Sequence, residues 1–179
     1  MKTRSAVGLP IVRRWADSLP RGAAVVDVGC GSGEPMTRAL LERGLAVSAI
    51  DASPTLAAAF RRSFPDVPLA CEPAERSAFF DRRFAGALAV GLLFLLPEEG
   101  QRRLLRRIGG ALEPEGSLLF SAPRQICSWE DRLTDRASRS LGAEAYARIL
   151  AEGGLDLVGE HSDEGGNHYF EARKRRAAG

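Results

Sequence analysis

The chain has little lysine, little histidine and little cysteine: two, two and three residues in 179. The cysteines, Cys30, Cys71 and Cys127, are odd in number and far apart, with no Cys-x-x-Cys pair and no Cys/His group at zinc-ligand spacing. That argues against a disulfide framework and offers no metal site, so the thiols read as reduced, in a cytoplasmic protein. An excess of one charge is also missing. Twenty-five basic and 23 acidic residues leave a formal net charge of +2 and are scattered along the chain, which gives no basic face of the kind that holds nucleic acid. The one basic run, Arg173-Lys174-Arg175-Arg176, stands beside small residues and reads as the start of a solvated tail over 173–179. Long hydrophobic runs are absent too. The longest, Gly86 to Leu96, is too short to cross a bilayer and stops at Pro97, and the charged opening segment lacks the apolar stretch of a secretory signal. The expectation is a cytoplasmic protein with neither membrane nor nucleic acid as partner.

What is present is an alternation of strand and helix signals, the pattern of a parallel sheet covered by helices on both faces. Within an N-terminal segment 1–20, a short amphipathic helix is predicted over 11–18, with Trp15 packing it onto the core. The brief β-branched run 23–28 suits a strand buried on both sides. A helix over 35–43 with Gly44 as its C-cap follows, then a strand 45–50 closing on Asp51. Ser53-Pro54 opens the next helix, which stops at Pro65. Strands are predicted over 67–71, 84–90 and 117–121, with an Arg-rich amphipathic helix over 98–112 before the turn 113–116. A polar connection, 124–140, leads to a last helix, 143–152, and a hairpin of 155–161 and 167–172. No repeat or linker interrupts this, so one domain over 1–179 is expected.

The chemistry concentrates in Val25-Val26-Asp27-Val28-Gly29-Cys30-Gly31-Ser32-Gly33, a buried strand that turns through glycines into a helix N-terminus. Glycine removes the side chains that would keep a ligand from the backbone N–H groups. Asp51, about twenty residues on at the end of the next strand, is placed to accept hydrogen bonds from a ribose diol. Together they point to an adenosine-containing ligand. A dinucleotide fingerprint needs a third glycine at the sixth loop position, where Glu34 stands. A carboxylate there repels a pyrophosphate, whereas S-adenosylmethionine carries no phosphate, so Asp27 and Glu34 are compatible with it. Cys30 reads as loop filler, since nothing nearby in sequence supplies a base.

Several segments carry a resemblance to a known family: VVDVGCGSG at 25–33, SAIDAS at 48–53, ACEPAE at 70–75, ALAVGLLFLLP at 87–97 and LEPEGSLLFSAP at 112–123. Over nearly its whole length the chain resembles the class I S-adenosylmethionine-dependent methyltransferases of small-molecule type, with Pro114-Glu115-Gly116 a mild departure from that family's usual Pro-Gly-Gly turn. The resemblance implies a Rossmann-like, doubly wound α/β fold whose seven-stranded, mostly parallel sheet ends in an antiparallel strand, with helices on both faces. It implies S-adenosyl-L-methionine as cofactor and S-adenosyl-L-homocysteine as product. Gly29 and Gly31 would approach the methionine part, Asp51 would hold the ribose hydroxyls, Ala52 and Ser53 would lie beside the adenosine, and Asp27 and Cys30 would belong to the same cofactor-binding loop. Ala74 with Glu75, or alternatively Glu72, would meet the adenine, and Val90 and Gly91 would offer backbone groups to the methionine amine.

Methyl transfer from a sulfonium is an in-line displacement that needs alignment more than a catalytic dyad, and no catalytic residue is assigned from sequence. No Asn-Pro-Pro-Tyr sequence follows the fourth strand, which disfavours amino methylation of DNA bases or of glutamine. A small-molecule acceptor is expected, bordered by the polar stretch 124–140, with Arg124, Trp129 and Asp131 as pocket residues and His168 from the last strand. The run 92–96 is core or an apolar wall beside the substrate. Two other readings stand against this one: an NAD-dependent oxidoreductase, for which the sixth-position glycine and a catalytic Tyr-Lys pair are wanting, and a non-catalytic S-adenosylmethionine-binding module.

Overall fold

The computed structural model describes residues 6–131 and 136–176. In its central strands successive residues point to opposite faces, and both faces are apolar. Along β1 (Ala24–Val28), Val25 packs with Val47, Leu88 and Leu119 beneath helices α1 (Leu9–Asp17) and α2 (Met36–Glu42). Val26 and Val28 pack the other way, with Ala87, Ala89, Leu118 and Phe120, beneath α4 (Glu98–Ala111) and α5 (Ala143–Glu152). Trp15 is 3% exposed and donates its indole N–H to Ser117 Oγ at 2.7 Å, so it belongs to the core. Helix α3 (Pro54–Ser63) starts as predicted, with Ser53 Oγ accepting from the Leu56 N–H and proline in the first turn, and its Phe60 packs with Phe64 on Cys30 and Ala49.

The main sheet has seven strands in the order β3 (Leu69–Ala70), β2 (Ala46–Ile50), β1, β4 (Phe84–Ala89), β5 (Leu112–Ser121), β9 (His168–Lys174), β8 (Leu155–Ser162). The first five run parallel, and β9 inserts antiparallel between β5 and the edge strand β8. From β1 the chain first builds outward to β2 and β3, then returns to lay β4 on β1's other side. That reversal leaves a crevice outside the carboxyl ends of β1 and β4, where open α/β sheets bind ligands.

The structure departs from the sequence reading in three places. The polar connection 124–140 contains a two-stranded antiparallel hairpin, β6 (Cys127–Asp131) and β7 (Arg136–Ser140). Ser138 and Ser140 are buried although polar, so no apolar alternation marked the strands. The turn at 113–116 is a bulge inside β5 rather than a break before it: Phe84 pairs with Leu112 and Gly86 with Ser117, with Glu115 at φ 64°. The basic run is not a solvated tail from 173 onward. Arg173 and Lys174 complete β9, Lys174 Nζ donates to Gly153 O, and Arg175 clasps Asp156 at 2.6 Å.

The small hairpin is tied down by a buried amide. Gln101 of α4, fully buried, donates through Nε2 to the carbonyls of Leu96 and Arg139, both at 3.0 Å, while its Oε1 accepts from the Tyr146 hydroxyl at 2.7 Å. Tyr146 in turn packs against Phe120 and Phe170, with ring centroids 5.4 and 5.3 Å away. Tyr146→Phe leaves a buried Gln101 oxygen without its donor. It is expected to lower unfolding free energy by about 1–2 kcal/mol, measured as a lower urea midpoint at an unchanged slope.

Candidate functional site

The loop after β1 is held by backbone bonds on both sides. The N–H groups of Gly29 and Cys30 donate to Ile50 O at 2.7 and 3.1 Å, which anchors the loop to the end of β2. Gly29, Gly31 and Gly33 take φ values of 72°, 60° and 85°, a region that costs other residues about 1 kcal/mol or more. Space is as restrictive as conformation at Gly33. A Cβ there would come within 2.4 Å of Phe64 Cε2 and 2.9 Å of Phe60 Cδ2.

Asp51, one residue past β2, accepts from the Gly31 N–H at 2.8 Å through Oδ2 and from the Ser53 N–H at 2.9 Å through Oδ1. Each oxygen keeps a second lone-pair site, so a single carboxylate ties the glycine loop to the start of α3 while retaining acceptor capacity toward the crevice. Ala52 beside it is exposed. Glu72 lies close in chain path, its N–H donating to Asp51 O at 3.1 Å, whereas Ala74 and Glu75 form a short 3-10 turn with Ala74 buried in the core and Glu75 half-buried.

Asp27 and Cys30 are placed differently from the other loop residues. Asp27 is 2% exposed and its Oδ2 accepts from Thr37 Oγ1 at 2.6 Å, which fastens β1 to α2. Cys30, equally buried, sits against Phe60 and Phe64 as filler. Glu34 pairs with Arg38 at 2.6 Å, so its repulsion toward a phosphate is weaker than the sequence alone suggested.

At the end of β4, Val90 and Gly91 enter a cavity of about 670 Å³, and the Gly91 N–H donates to Ser121 Oγ at 2.8 Å. The same cavity is lined by Arg124, Trp129 and His168, brought there by the segment after β5, by β6 and by β9. Asp131 closes β6, but its side chain lies outside the described residues. Phe94, of the run 92–96 read as core or an apolar wall beside the substrate, lines it too, whereas sequence reasoning did not single out Ser121, Met36 or Tyr169, which also do. Ser121 was the findable one, since it ends the strand parallel and adjacent to β4. Tyr169 carries no local signal, because its place depends on β9 inserting beside β5.

The far wall is organised by Asp163, whose Oδ1 accepts from the N–H groups of Gly165 and Asn167, both at 2.9 Å. Its Oδ2 accepts from the Tyr169 hydroxyl at 3.0 Å. Burial and the Asp163 carboxylate push the Tyr169 hydroxyl far above the ordinary phenol range. No group of three or more His, Cys, Asp or Glu suited to a metal occurs among the described residues.

The sequence matches a family described as a methyltransferase domain over residues 25–116, the stretch from β1 to the bulge of β5. No curated protein matches. Among solved structures, the chain is similar to the Burkholderia thailandensis 1,6-didemethyltoxoflavin-N1-methyltransferase, crystallised with its acceptor and S-adenosylhomocysteine, at 24% identity and a TM-score of 0.75, covering 93% of this chain and 77% of that one. The glycopeptide N-methyltransferase MtfA with sinefungin is 21% identical with a TM-score of 0.76, and 96% of each chain is covered. The S-adenosylmethionine-bound amino pentose methyltransferase CalS10 from Micromonospora echinaspora is 15% identical with a TM-score of 0.75, covering 93% of this chain and 89% of that one.

Gly33→Ala forces both a left-handed backbone and a collision with two core phenylalanines. It is expected to cost about 2 kcal/mol or more, checked by chemical denaturation; a change within error would mean the loop relaxes freely.

Proposed function

This chain belongs to the methyltransferase-domain family, and we propose that it transfers the methyl group of S-adenosyl-L-methionine to a small molecule seated in the cavity at the carboxyl edge of the sheet. One observation carries the reading: Val90 and Gly91, at the mouth of the crevice that holds the glycine loop and Asp51, line the same cavity as Arg124, Trp129 and His168. Gly91, which shares the end of the sheet with the glycine loop, thus joins the donor side to the cavity, while Leu92 stands over Gly29.

The residues fit the donor. Asp51, already oriented by two N–H groups, holds the ribose hydroxyls on its remaining lone pairs. Gly29 and Gly31 let the methionine portion approach the backbone, with Cys30 and Asp27 supporting the loop from beneath. Ala52 and Ser53 flank the adenosine. Ala74 with Glu75, or Glu72 in their stead, meets the adenine, and Val90 and Gly91 border the methionine amine. S-Adenosylmethionine supplies an activated methyl carbon with its leaving group built in. The protein's share is to align the acceptor behind that carbon and to keep water out, for which the hairpin β6–β7 and the turn after β8 wall the cavity.

A small-molecule acceptor is supported by the size of the cavity, about 670 Å³, and by charges that are scattered rather than gathered into a stripe for nucleic acid. Among the described residues no helix is long and apolar enough to cross a membrane. Three free cysteines, one exposed, suit a cytoplasmic setting.

Calorimetric titration with S-adenosylmethionine, S-adenosylhomocysteine and NAD tests the donor. Both sulfur ligands are expected to bind and NAD is not; the reverse pattern overturns the reading. Asp51→Ala is expected to weaken S-adenosylhomocysteine by about 1.5–3 kcal/mol, roughly ten- to a hundredfold. Part of that loss comes from the loop, since Gly31 and Ser53 lose their acceptor too.

A further inference from the structure

Three side chains lining the cavity, among the described residues, can titrate: Arg124, Tyr169 and His168. Arginine stays protonated in proteins. Tyr169 donates to Asp163 and, buried beside that carboxylate, releases its proton only far above neutral pH. Among the described residues no aspartate or glutamate side chain lines the space. His168 is thus, among the described lining residues, the one whose neutral side chain offers a basic nitrogen.

Its setting supports that task. The His168 carbonyl accepts from the Ala122 N–H at 3.1 Å, which fixes the backbone to the end of β5. Its ring meets Phe170 edge-on, with centroids 4.7 Å apart, and its side chain is 14% exposed. Nε2 lies 2.9 Å from Glu160 Oε2 on the neighbouring strand β8. The contact lacks hydrogen-bond alignment. The same Glu160 oxygen accepts from Arg124 Nε at 3.0 Å, which holds the carboxylate in place. Phe94 from the turn after β4 and Trp129 from β6, which also line the cavity, form a tilted pair, centroids 5.3 Å apart and planes at 47°. Aromatic lining of this kind suits a flat ring.

We propose that neutral His168, with Glu160 beside it, is a general base for methyl transfer, and that the acceptor is a planar ring compound carrying a weakly acidic O–H or N–H, laid against Phe94 and Trp129. This rests on the methyl-transfer reading above. The step balances without any further reactant. The imidazole takes the proton from the acceptor's heteroatom on Nδ1, the ring nitrogen not turned to Glu160, and the heteroatom's electron pair forms the new bond to the methyl carbon. The electron pair of the broken carbon–sulfur bond stays on sulfur, and Glu160 compensates the new imidazolium charge.

A chromogenic probe tests this without turnover. The protein is saturated with S-adenosylhomocysteine and titrated with 4-nitrophenol, reading tryptophan fluorescence for binding and phenolate colour for ionisation across pH. 4-Nitroaniline serves as the flat control with no comparable acidic proton. Both probes are expected to quench fluorescence, and the bound phenol's ionisation midpoint is expected to fall by about half a unit, roughly a threefold gain in phenolate below the midpoint. His168→Gln abolishes the shift while quenching persists, Glu160→Gln reduces it, and Trp129→Ala weakens binding of both rings about tenfold. A bound phenol with an unshifted midpoint, a shift that survives His168→Gln, or no binding of either ring to a protein that does bind S-adenosylhomocysteine overturns the inference. If His168→Gln fails to fold, an undiminished shift in Glu160→Gln overturns it instead. Loss of S-adenosylhomocysteine binding by the unmodified protein overturns the donor reading itself, so the two failures are distinguishable.

Discussion

A sheet of parallel strands must be covered on both faces, because its crossovers place helices there and its strands are apolar on both sides. In this chain that constraint decides where function can sit. With α1 and α2 over Val25, Val47 and Leu88, and α4 and α5 over Val26, Leu118 and Phe120, the two faces are filled. Backbone free to meet a ligand is left at the strand ends, and the reversal of strand order between β1 and β4 gathers those ends into one crevice.

What stands at that edge is preorganised by a few polar contacts. Asp51 spans from the glycine loop to α3, Asp27 pins β1 to α2 through Thr37, and Ser121 holds the Gly91 N–H. Each joins one element of the crevice to another, so the loop, α2, α3 and the end of β4 are tied together at that edge. The hairpin β6–β7 is fastened in the same way, from beneath, by Gln101 and Tyr146. A methyl displacement relies on alignment rather than on a reactive dyad, and fastening of this kind serves alignment.

The acceptor side is built from parts with less in common. Arg124 and Trp129 come from the excursion after β5, Phe94 from a turn after β4, and His168 and Tyr169 from the inserted strand β9. Variation in that excursion can alter the cavity while the donor crevice, made from the first half of the chain, stays the same. The matched family region, 25–116, covers the donor half and stops before the excursion.

The order of elements, the glycine loop and the acidic residue after β2 were legible in the sequence because each is local. A buried strand running into glycines, a carboxylate one strand later and a Ser-Pro helix start are short-range patterns with short-range causes. Arg124, Trp129 and His168 were also nameable as candidates, from the rule that ligands lie beyond the carboxyl ends of strands. Their meeting around one cavity was decided by tertiary structure. It required β9 to enter antiparallel beside β5, which sets His168 near Glu160 and Tyr169 near Asp163, and it required a serine-rich segment without apolar alternation to pair as a hairpin. The sequence by itself determined the glycine loop and the acidic residue after β2, since each is written in a short contiguous segment. Only the fold decided the acceptor cavity, because its walls come from segments whose contacts depend on how distant strands pair.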